Sequence, residues 1–151
     1  MNNIKSKKLT ILQVLPALNS GGVERGTLEI SKYLVSKNHR SIVISKGGRM
    51  KDKLVKEGGE HIELPIGEKS LLTLRLIPKL IKILRKNKVD IIHIRSRFPA
   101  WICLIAIKFM ENKKIPSIVT TFHGPYSINR YSSIMAKGDV VIAVSKMIKT
   151  Y

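Results

Sequence analysis

The sequence predicts an α/β fold: a parallel sheet with helices on both faces. Three observations carry this expectation. Short apolar runs rich in β-branched residues recur along the chain, and longer segments with helical spacing separate them. Most of the runs also lack the strict alternation of a strand that is solvated on one side. Alternating β and α units imply parallel strands joined by right-handed crossovers. With 151 residues the chain has the size of one domain and enough length for a real core.

The elements follow in order. Leu9–Leu15, Ser41–Ser45, His61–Leu64, Val89–Ile94, Ser117–Thr121 and Val140–Val144 read as strands. Val23, Thr27, Ile30 and Leu34 keep helical spacing after the first strand, and that helix ends near Asn38. Met50–Lys56 fits a short helix closed by Gly58-Gly59. Leu71–Lys86 is amphipathic: Arg75, Lys79, Lys82 and Lys86 fall on one face, with Leu72, Leu76, Leu80, Ile83 and Leu84 opposite. Pro78 lies inside that pattern, which predicts either a kink or a helix that starts there. Pro99–Met110 fits a helix with proline in its first turn, and Ser145 is placed to cap a last helix.

Composition narrows the class. Hydrophobic residues make up 44% of the chain, which argues against disorder. The lone Cys103 cannot form an internal disulfide and sits in an apolar run, so core packing in a reducing compartment is expected. Lys and Arg number 28 against 10 Asp and Glu, a net charge of +18. Such a field attracts polyanions, although frequent lysine and isoleucine also fit simple compositional drift. No run approaches the roughly 20 apolar residues that span a bilayer. Lys5, Lys7 and Lys8 before Leu9–Leu18 imitate a signal peptide, but Gln13 and Pro16 interrupt the run. A first strand and a cytoplasmic location are the expected reading.

In an open α/β sheet ligands bind beyond the carboxyl ends of the strands. The first such end carries Gly21-Gly22-Val23-Glu24. Two glycines opening a helix permit close backbone approach, and the free amides there favour a phosphate. A plain strand-to-helix turn would read the same way. The stretch is not the G-x-G-x-x-G dinucleotide fingerprint, and no acid ends the second strand at Ser45-Lys46, which disfavours a nicotinamide enzyme.

The fourth strand ends at His93-Ile94-Arg95-Ser96-Arg97-Phe98-Pro99-Ala100-Trp101. Two arginines flanking a serine suit a phosphate or carboxylate. His93 lies within the strand, where a packed, hydrogen-bonded role is expected, and Trp101 suits either an acceptor platform or the core. The fifth strand ends at Thr121-Phe122-His123-Gly124-Pro125-Tyr126. A histidine at that mouth can titrate or donate near neutrality, or cap loop backbone groups.

Taken in order, these stretches resemble the N-terminal domain of a GT-B glycosyltransferase of family 4, of the type that builds lipopolysaccharide core. The matching pieces are Val14-Leu15-Pro16, Gly21 to Arg25, Val89 to His93, Arg95 to Trp101, Thr120 to Gly124 and Gly138 to Ser145. The resemblance implies a Rossmann-like sheet forming the acceptor-side half of a two-domain enzyme. It also implies sugar transfer from a nucleotide-sugar to a cell-envelope glycolipid with retention of configuration, without cofactor or bound metal. Gly21 and Gly22 would lie under the donor pyrophosphate, and His123 would face the reacting centre. Arg95, Arg97 and Tyr126 would hold the acceptor. The basic face Arg75, Lys79, Lys82 and Lys86 would suit an anionic membrane surface, or else be an ordinary solvated face.

The family's donor-binding domain has no counterpart in residues 1–151, and the last strand of the first domain is also missing. The chain is therefore expected to be a fragment, one half of a split enzyme working with a separate donor-binding half, or a relic. The alternative to catalysis is a non-catalytic module that binds anionic glycolipid or the inner face of a membrane. Charge alone suggests nucleic acid, but aromatics are only 5% and no binding motif occurs, so no nucleic-acid partner is expected.

Overall fold

The computed structural model describes residues 7–110 and 114–150. Lys5, part of the signal-like N-terminus, lies outside them. Six strands alternate with helices: β1 (Thr10–Val14), α1 (Gly22–Ser36), β2 (Arg40–Ser45), α2 (Lys51–Lys56), β3 (Glu60–Glu63), α3 (Ile77–Lys86), β4 (Ile91–Ile94), α4 (Arg97–Lys108), β5 (Ser117–Phe122), β6 (Val140–Ala143) and α5 (Lys146–Thr150). Every pairing is parallel, and the sheet order is β3-β2-β1-β4-β5-β6. This is the doubly wound, Rossmann-like order. It reverses direction between β1 and β4, the point at which open sheets of this kind bind ligands beyond the strand ends.

Residue parity along the strands sorts the interior into two cores. Leu12, Val14, Ile42, Ile44, Ile92 and Ile94 pack with Leu80 and Leu84 of α3 and with Ala100, Ile102, Cys103 and Ala106 of α4. On the other face Leu15, Val43, Leu18, Leu28 of α1 and Leu54 of α2 form a smaller cluster. Strands covered on both faces need no polar alternation, which is why the runs read as continuously apolar. Cys103 is fully buried, as expected of a packing residue.

The long amphipathic segment divides at the proline. Leu71–Leu76 forms a 3-10 helix capped by Ser70, whose side chain accepts from the Leu72 amide, and the α-helix begins at Ile77 with Pro78 in its first turn. A proline lacks the amide that a continuous helix would need, so the helix starts there rather than bending. The tighter winding turns Leu72 outward, 63% exposed, and removes it from the apolar face the spacing predicts. Helix α4 likewise starts at Arg97, two residues before Pro99. Ser145 does cap α5, accepting from the Ile148 amide at 3.2 Å.

Two aspartates within the matching motifs serve the sheet. Asp90 accepts from the Thr10 amide at 2.8 Å, and Asp139 accepts from the Ile118 amide at 2.7 Å. Each carboxylate pins the start of the neighbouring strand, and Lys114 followed by that Thr10 amide holds the Asp90 carboxyl below its ordinary pKa. At the far edge, β6 leaves Val140, Val141 and Ile142 exposed, so both of its faces are open.

Candidate active site

The turn after β1 is shaped by a second glycine loop. The Leu18 amide donates to the Gly47 carbonyl at 2.9 Å, and the Met50 amide donates to the Leu18 carbonyl at 2.8 Å. Gly48 has φ 143°, and a Cβ there would stand 2.5 Å from the Leu18 carbonyl carbon. Only glycine lets the two loops lie this close. The chain then reaches Gly21, the N-cap of α1, with φ 145° and no side-chain cap. A Cβ on Gly21 would meet the Glu24 carboxylate, whereas one on Gly22 would meet nothing within 4 Å. Both glycines are exposed, so the positive end of α1 faces open space.

Beneath α1 a polar layer crosses the sheet. Gln13 of β1 is fully buried; its Nε2 donates to the Thr27 carbonyl at 3.0 Å, and its Oε1 accepts from Arg95 Nη1 at 3.2 Å. Arg95, just beyond β4, is only 5% exposed. Its Nη2 lies 3.0 Å from where a Gly26 Cβ would stand, so the bare backbone of α1 makes room for the guanidinium. Arg95 Nε has no hydrogen-bond partner, and no carboxylate pairs with this side chain among the described residues. Burial pulls its pKa down.

Two histidines adjoin that cation. His93 is buried and shares a 2.7 Å hydrogen bond through Nε2 with Thr121 Oγ1, the packed role its place in the strand predicts. His123 follows β5, half-buried, with an Nε2 that is enclosed yet unpartnered among the described residues. Burial first, and then the charge of Arg95, lowers both rings to about 4. At neutral pH both are uncharged imidazoles that can donate or accept a hydrogen bond.

The arginines flanking Ser96 do not form one clamp. Helix α4 begins at Arg97, so the chain turns at Ser96 and sends the second side chain elsewhere. The Arg97 guanidinium lies 4.5 Å from the Tyr126 ring centre and 5.4 Å from that of Tyr131, and donates to Ser132 Oγ at 3.2 Å. Arg97 and Tyr126 are thus brought together, while Arg95 bonds to Gln13 and its charge reaches His93 and His123. Phe122, Gly124, Tyr126, Asn129, Ser132 and Val141 line an open cleft of about 350 Å³ next to His123. Trp101 is half-buried, donates through Nε1 to the Tyr131 carbonyl at 3.2 Å, and lines a separate groove with Phe98, Leu71 and Leu74. The basic residues Arg75, Lys79, Lys82 and Lys86 are all exposed. Sequence reasoning missed Gln13, Gly26 and Gly48, whose partners lie far away in the chain.

Comparison with known proteins bears on the fold and the family. The family model for glycosyltransferase family 4 matches residues 20–151. The crystal structure of a glycosyltransferase from Rickettsia africae ESF-5 is similar over 95% of this chain and 38% of that one, at 44% identity and a TM-score of 0.80. MurG from Acinetobacter baumannii is similar over 89% of this chain and 41% of that one, with 12% identity and a TM-score of 0.66, a likeness of fold alone. No curated protein sequence matches significantly. The chain spans about two-fifths of the length of these solved relatives. The sheet is that of the GT-B glycosyltransferases, and the chain belongs to glycosyltransferase family 4.

Proposed function

We propose that this chain is the acceptor-side half of a retaining glycosyltransferase that moves a sugar from a nucleotide-sugar to a cell-envelope glycolipid such as lipopolysaccharide core. The observation that carries this reading is the convergence of three strand ends on one crevice. Gly21-Gly22 offers an uncapped helix start, Arg95 a buried cation and His123 an unpartnered ring nitrogen. In this reading Gly21 and Gly22 lie under the donor diphosphate, where helix amides and dipole favour negative charge. His123 faces the reacting sugar, while Arg97 and Tyr126 border the acceptor cleft. Arg95 contributes charge from beneath rather than a direct grip on the acceptor. No cofactor or metal is needed, and a donor-binding half, continuous with this chain or separate from it, supplies the opposite wall.

Work at the inner face of a membrane fits the exposed basic row Arg75, Lys79, Lys82 and Lys86. The outward Leu71 and Leu72 beside it would enter the headgroup layer. The test is sugar transfer to lipid-linked acceptor from a panel of nucleotide-sugars, by this chain together with its donor-binding half. Transfer that requires both halves is expected. Failure with every donor would favour instead a non-catalytic binder of anionic glycolipid.

A further inference from the structure

The open cleft next to His123 combines apolar side chains with polar ones that are rich in free donors. Ser132 is 5% exposed, and its hydroxyl already accepts from Arg97 Nη1 at 3.2 Å, so its own proton remains free to donate. Asn129 Oδ1 accepts from the Ser132 amide at 2.8 Å, which leaves the side-chain N–H groups of Asn129 for the cleft. Lys149 lines the same cleft, and its ammonium has donors only. Ser133 turns its proton back onto the Arg130 carbonyl at 2.9 Å. Against Ser132 lies Arg97, whose guanidinium packs on the rings of both Tyr126 and Tyr131. No carboxylate pairs with Arg97 or Lys149 among the described residues. Asp90 and Asp139 accept from amides at the starts of β1 and β5, at the other end of the parallel sheet.

We propose that this cleft is a subsite for an acidic sugar: the acceptor carries a carboxylate or phosphate that Arg97, Ser132 and Lys149 bind. The inference rests on the reading that the cleft takes the acceptor, and it adds the chemical class of that acceptor. Sugar hydroxyls donate as well as accept, so a neutral sugar would leave this donor-rich set poorly matched. An oxyanion only accepts, and its bonds to cationic donors are the stronger kind. A guanidinium already stacked on two rings also loses little freedom when it binds one. The sugar ring that bears the anion then rests on the apolar surface of Phe122 and Tyr126, whose ring centres are 5.4 Å apart. Carboxylate and phosphate both fit the guanidinium fork, and probes that differ in this group alone separate them.

The test titrates the chain, with isotopically labelled tyrosine, against methyl glucoside, glucuronic acid and glucose 6-phosphate. Binding is read by NMR from the ring signals of Tyr126 and Tyr131. At least one acidic sugar is expected to bind about tenfold tighter than the glucoside or better, and the tighter of the two identifies the anion. Arg97→Gln is expected to remove that advantage. Lys56→Gln takes the same charge from an exposed site on α2 and should leave binding within about twofold, which separates the subsite from the net charge of the chain. Amide spectra establish that each variant is folded. Should Arg97→Gln fail to fold, Ser132→Ala, which removes the free hydroxyl, decides by the same loss. Acidic sugars that bind no better than the glucoside overturn the proposal. So does binding that a folded Arg97→Gln or Ser132→Ala leaves within about twofold of the parent, or that Lys56→Gln weakens as much. A glucoside bound as tightly as the acids overturns the acidic class and keeps the acceptor reading. Acidic sugars that bind as expected uphold the subsite even if the chain joined with its donor-binding half transfers no sugar, a failure that would fall on the acceptor reading alone.

Discussion

His93 shows how burial becomes a pH dependence. Its ring is 6% exposed and its pKa falls to about 4, first through desolvation and then through Arg95 and His123. A histidine held below its free value binds a proton more weakly in the folded state than in the unfolded one. The stability it supports is complete above the unfolded value of 6.5 and is lost as pH drops toward 4. The shift corresponds to about 3 kcal/mol. Denaturant unfolding between pH 7 and 4 should show that decline, and His93→Gln should flatten part of it. Parallel curves for parent and variant would contradict this account. The packed role of His93 was legible because the residue falls inside an apolar run. Gln13 was not: in the sequence it merely interrupts a hydrophobic stretch, and its partners Thr27 and Arg95 are 14 and 82 positions away.

The segment from Leu71 to Lys86 shows where periodicity succeeds and where it overreaches. Leu80 and Leu84, on the predicted apolar face, are buried against the sheet. Leu72 shares the pattern but sits before the proline, in 3-10 geometry, and points outward. Hydrophobic spacing cannot tell the two windings apart over one turn, whereas Pro78 marks the boundary directly. Leu80→Ala should therefore cost about 2–5 kcal/mol, and Leu72→Ser should change stability by less than about 0.5 kcal/mol. Equal losses in urea unfolding would show that Leu72 is packed after all. The same limit applies to glycines. Gly21-Gly22 stood out as a pair opening a helix, but Gly26 looked like a helix interior residue and Gly48 like any loop glycine. Their importance comes from Arg95 and Leu18, which local pattern cannot reveal.

Across the whole molecule, the parallel order was legible because every strand is followed by a crossover segment, and the cleft because it lies where such sheets bind ligands. Arg75, Lys79, Lys82 and Lys86 are four exposed cations, each expected to contribute about 1 kcal/mol near an anionic surface. Replacing all four with glutamine should weaken co-sedimentation with vesicles rich in anionic lipid by at least about tenfold, and added salt should do the same to the parent. Binding that is unchanged in the variant, or equal on neutral vesicles, would leave this face an ordinary solvated one. At one edge of the sheet, β6 exposes Val140, Val141 and Ile142, which alternate between its two faces.

The claim that unites these features is that the ends of β1, β4 and β5 form the acceptor-side wall of a sugar-transfer site with His123 at its centre. The direct measurement is the rate of transfer from nucleotide-sugar to glycolipid acceptor by the chain joined with its donor-binding half, comparing the parent with His123→Ala. A loss of about 10²–10⁴ is predicted for a group that touches the reacting sugar. A variant rate within about threefold of the parent would contradict it.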